Sequence, residues 1–79
     1  MGEKLTLRYD KVGDILYIDK RPPYAAQESD EAGDEMVVRL NPITDEVETV
    51  EILFFTKRLE EGSIIELPVT GELRLAEAE

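Results

Sequence analysis

The chain has no cysteine, no histidine and no tryptophan. Without cysteine there is neither a disulfide nor a thiolate zinc site, so a small fold must find extra stability in packing or association. Without histidine, Ser29 and Ser63 cannot belong to a histidine-based triad. There is no glycine-rich phosphate loop, and basic residues never run beyond pairs, the tightest being Lys20-Arg21 and Lys57-Arg58. Met1-Gly2-Glu3-Lys4 leads straight into an alternating strand pattern, with no long apolar region. Neither export nor membrane insertion is expected, and a cytoplasmic location follows by default.

What is abundant is negative charge. Nineteen acidic residues against nine basic ones give a formal charge of −10, which repels nucleic-acid phosphates within the Debye length and makes DNA and RNA poor partners. The same charge keeps a small protein soluble and can steer it towards a basic partner. Seventy-nine residues make one domain, 1–79. A chain of that size buries only about 60% of the surface its unfolded form exposes, leaving little apolar area for a deep active site.

Extended patterns dominate the chain. Leu5, Leu7 and Tyr9 alternate with Lys4, Thr6 and Arg8, which predicts a strand with that apolar triad facing the core. Asp10-Lys11-Val12-Gly13-Asp14 supplies a loop, and Ile15-Leu16-Tyr17-Ile18 returns as a strand apolar on both faces, whose second face needs a cover. Pro22-Pro23 ends it. Tyr24 to Glu28 allows a short edge strand, and Ser29 to Glu35 reads as a polar loop. Met36 to Leu40 and Val47 to Phe55, joined by turn chemistry at Asn41-Pro42-Ile43-Thr44-Asp45, form a second hairpin with Val50, Ile52 and Phe54 inward. Glu48 and Glu51 fall on different faces, which places one carboxylate at a rim or bulge. Phe55 to Glu61 suits one or two helical turns stopped by Gly62. Ser63 to Val69 and Gly71 to Leu75 read as late strands. The expected fold is mostly β, with α+β as the second choice: a small antiparallel sheet of about five or six strands built from two hairpins, with at most one short helix.

Leu7-Arg8-Tyr9-Asp10, Asp14 with Leu16-Tyr17-Ile18, then Val37-Val38 and Val50-Glu51-Ile52, resemble the small prokaryotic family catalogued as domain of unknown function 2283. The resemblance spans roughly residues 5 to 59, with the tyrosine-aspartate hairpin its most specific part. The chain departs from the family pattern at Asn41 to Asp45, where a glycine-containing turn is expected, and at Thr49, where glycine is common. The resemblance implies a small β-rich domain of unknown role and carries no catalytic residue.

The carboxylates that the hairpins bring nearest one another are Asp10, Asp14 and Asp19 with Glu51, and hard cations bind through carboxylates. Asp10, Asp14 and Glu51 form the candidate carboxylate cluster. Against it, Asp beside a turn commonly hydrogen-bonds local backbone, and Asp30 to Glu35 lacks calcium-loop spacing. Glu51 beside Tyr9 or Tyr17 is the one acid/base candidate, but nothing supplies a nucleophile or an electrophilic clamp. Phe54-Phe55 followed by Lys57-Arg58 has the makings of a stacking platform that the global charge opposes; adjacent aromatics point to opposite faces, one to the core and one to a contact. The expectation is therefore no catalytic residue, no metal and no cofactor. The protein reads as a non-enzymatic interaction module, self-associating with a dimer favoured, or binding a basic protein as an antitoxin-like regulator would, with Ile15, Tyr17 and Phe55 as interface candidates. The alternative is a carboxylate-based enzyme or divalent-metal-binding protein whose site is assembled across a dimer.

Overall fold

The computed structural model describes residues 4–76. Five strands, β1 (Thr6–Asp10), β2 (Ile15–Asp19), β3 (Glu28–Gly33), β4 (Met36–Leu40) and β5 (Val47–Leu53), precede one helix, α1 (Phe55–Glu61). All neighbours in the sheet are antiparallel, in the order β1-β2-β5-β4-β3. The fold is thus mostly β, one open sheet with a short helix. The chain makes a hairpin, crosses to the far edge through residues 20–27, and works back as a meander until β5 docks against β2.

Alternation sorts the side chains. Pairing Leu16 with Ile52 and Ile18 with Val50, and these with Met36 and Val38, sets one apolar face. Met36, Val38, Val50 and Ile52 are its buried centre, with Leu16, Ile18, Phe55, Ile65 and Val69 packed against them. The helix and the segment after it therefore roof this face. Three short loops close the hairpins, two by side-chain hydrogen bonds and one by backbone conformation. Asp10 accepts the Val12 and Gly13 amides at 3.0 and 3.3 Å. Asn41 accepts those of Ile43 and Thr44 at 2.9 and 3.1 Å. Asp34 and Glu35, both with positive φ, form a two-residue turn of the hairpin-compatible hand.

Several expectations change. Glu28–Gly33 is a strand rather than a loop: its charges stay wet because β3 is an edge, and pairing with β4 supplies the backbone bonds that composition could not announce. Tyr24 to Gln27 is turn and coil instead of a strand. Residues 63–76 pair with no strand. Phe54 is not inward. It takes a left-handed conformation (φ 53°) ahead of α1, and Phe55 turns to the apolar side in its place. β1 is exposed along its whole length because it too is an edge. By contrast, the second hairpin, the helix from Phe55 to Glu61 and its stop at Gly62 lie where the sequence places them. A register shift between Arg39 and Leu40 leaves Glu48 as the extra residue of a bulge on β5.

Candidate interaction surface

The face opposite the apolar core is polar yet closely packed. Arg8 pairs with buried Asp19 through two nitrogens, at 2.6 and 3.3 Å, while its guanidinium carbon lies 4.1 Å from the centre of the Tyr17 ring. Thr49, 1% exposed, donates its hydroxyl to the same carboxylate at 2.9 Å. Arg39 pairs with Glu51 beside it. Burial pushes the Asp19 carboxyl up, but hydrogen bonds from Arg8 and Thr49 and the charges of Arg8 and Arg39 outweigh it and leave the group below its ordinary range. These pairs lie across strands two residues out of register, so each arginine reaches diagonally to its acid. Each of these four charges has a partner, which suits a structural brace better than a ligand site.

Glu48 is a second polar hub. From its bulge it accepts Tyr24 Oη at 2.6 Å, Gln27 Nε2 at 3.0 Å and Asn41 Nδ2 at 3.2 Å, with Arg21 at 3.5 Å. The Tyr24 hydrogen bond leads in holding its carboxyl below the ordinary range, against burial. The hub fastens the 20–27 crossover to the β4–β5 hairpin.

The sequence-derived carboxylates go separate ways. Asp10 closes its own loop. Asp14, in left-handed conformation (φ 56°), accepts Tyr9 Oη at 2.7 Å and the amide and hydroxyl of Thr56 at 3.1 and 2.8 Å, while its carbonyl accepts the Phe55 amide at 3.0 Å. It therefore caps α1 from a distant hairpin, a role that Phe54, without a polar side chain, cannot fill. The Tyr9 bond leads in lowering the Asp14 carboxyl and, reciprocally, raises the Tyr9 phenol. Glu51 faces Arg39 beside its cross-strand neighbour Tyr17. Among the described residues no three acidic groups converge as metal ligands. The interface candidates are split too: Ile15 and Tyr17 lie on the polar face, while Phe55 packs with the apolar core and tilts against Tyr9 at 6.0 Å.

What remains unpartnered is an edge. Leu5, Leu7 and Tyr9 are 52%, 67% and 44% exposed, and the pairs Leu7–Ile18 and Tyr9–Leu16 put the last two on the core side of the sheet. Lys4, Arg8 and Lys11 make this the basic border of an acidic chain. The opposite edge, β3, carries Glu28, Asp30 and Glu31 and is bulged between Glu31 and Gly33, features that discourage strand addition. β1 has no bulge, and on its core side it presents only Leu7 and Tyr9. The alternation that exposed this row was visible in the sequence, but its lateral position was not. An open trough of about 1690 Å³ adjoins β1, with Leu5, Ile18 and Val50 on the sheet side and Leu67, Leu73 and Leu75 on the other. No helix among the described residues is long and apolar enough to cross a membrane. Comparison with protein-family models, curated proteins and solved structures gave no match.

Proposed function

We propose that this protein is a non-enzymatic interaction module that associates with itself through the β1 edge. The observation that carries the reading is the asymmetry of the two borders: β3 is bulged and acidic, whereas β1 is regular, has no strand on its outer side among the described residues, and is lined on one side by Leu5, Leu7 and Tyr9. A domain this small gains most by covering such a row. A cytoplasmic setting and kinship with domain of unknown function 2283 belong to the same proposal. The test is sedimentation equilibrium across a wide range of protein concentration. The parent should approach twice the chain mass, and Leu7→Lys should remain a folded monomer, since the residue is already wet and surface changes cost within about 0.5 kcal/mol. A parent that stays monomeric at every concentration refutes the reading. A second reading has one feature in its favour: the acidic β3 border suits a basic protein partner.

A further inference from the structure

Two stretches of extended or alternating sequence lack a strand partner on one side or both among the described residues. One is the bare β1 edge. The other is the segment Gly71-Glu72-Leu73-Arg74-Leu75, which alternates like a strand but pairs with none. Its Leu73 and Leu75 are 83% and 97% exposed, and Glu72 and Arg74 pair with each other, as residues two apart do on one side of an extended chain.

We infer that Gly71–Leu75 of a second copy adds to β1 as a sixth, antiparallel strand, reciprocally in the dimer. The inference rests on the self-association reading and names its occupant. One register satisfies both strands. With Leu73 opposite Leu7, Leu75 falls opposite Leu5, so the leucines meet on the core side of the sheet. On the other side Glu72 falls opposite Arg8 and Arg74 opposite Thr6. Glu72 thus meets a border where Lys4, Arg8 and Lys11 outnumber Asp10, with Arg8, bound to Asp19 but 44% exposed in its side chain, open to a second acidic partner.

Reach opposes the chain's own segment as the ladder partner, although that segment lines the trough across from Leu5. Val69 packs against the core cluster, which lies on β4 and β5. From β5 to a position outside β1 is three interstrand steps, about 14 Å. Two residues, from Val69 to Gly71, span at most about 7 Å. Pairing within one chain would unseat Val69, whereas a second copy meets no such limit.

The absence of cysteine allows a direct test in the full chain. Leu7→Cys and Leu73→Cys chains, mixed under oxidising conditions, should give a mixed disulfide several-fold in excess of either homodimer, because opposed positions on antiparallel strands lie within bridging distance. A chain ending at Thr70, which keeps Ile65 and Val69 on the core, should raise the dimer dissociation constant about tenfold or more. Predominance of the Leu7→Cys homodimer, or an undiminished dimer after truncation, overturns this inference in favour of β1–β1 pairing while self-association stands. A disulfide that forms only within the Leu7→Cys/Leu73→Cys double variant overturns it in favour of an internal strap. A parent that is monomeric throughout overturns both readings.

Discussion

Thr49→Val tests whether the polar face is a brace. Thr49 is 1% exposed on the central strand and donates its hydroxyl at 2.9 Å to Asp19, itself only 4% exposed and otherwise held by Arg8. Valine keeps the shape and removes the donor. A hydrogen bond to a charged group contributes about 1.5–3 kcal/mol, and the buried methyl that replaces the hydroxyl returns about 0.8 kcal/mol, so the net loss should be about 1–2 kcal/mol. For a small domain with total stability near the low end of about 5–15 kcal/mol this is readily measured by urea denaturation. The pH dependence follows from the direction of the Asp19 shift. Its folded pKa lies below its unfolded value of about 3.9, so the stabilisation is complete above that value and is lost as pH falls through the folded pKa. The difference between parent and variant should therefore be full at neutral pH and shrink at acid pH as Asp19 is protonated. A variant as stable as the parent at neutral pH, or a difference that persists unchanged in acid, would refute the argument.

Leu16→Ala should cost about 2 kcal/mol by denaturation, the low end for a leucine truncation because the side chain is half-buried. Asp14→Ala should leave the sheet intact, speed amide exchange at Thr56, and lower the Tyr9 phenol towards its ordinary pKa, as read by ultraviolet titration. Glu48→Gln should destabilise the protein at neutral pH, the parent's advantage narrowing as acid protonates Glu48 through its depressed pKa; thermal melts across pH check the sign, and a gap that widens in acid contradicts it.

By itself the sequence determined the local elements. The alternation around Met36–Leu40 and from Val47 onward, the turn residues between them, and the Phe55–Glu61 helix stopped by Gly62 rest on interactions a few residues apart and lie where the pattern places them, except that the second strand ends at Leu53 rather than Phe55. That one of Glu48 and Glu51 sits at a rim or bulge was legible, because two glutamates three apart on a strand cannot share a face; the register shift made it Glu48. Its donors were not, since Tyr24 and Gln27 arrive from a crossover of no regular structure. Strand order was decided by tertiary structure alone. Leu5, Leu7 and Tyr9 have a core-facing pattern, but whether such a row is covered depends on whether another strand lies beside it, and β5 docks against β2 instead. The same lateral placement turned polar Ser29 to Gly33 into an edge strand. It also set Arg8 diagonally across from Asp19, and Arg39 from Glu51. Period and propensity act along the chain, whereas burial at an edge and ion pairing across strands are set by neighbours distant in sequence, and no local pattern encodes them.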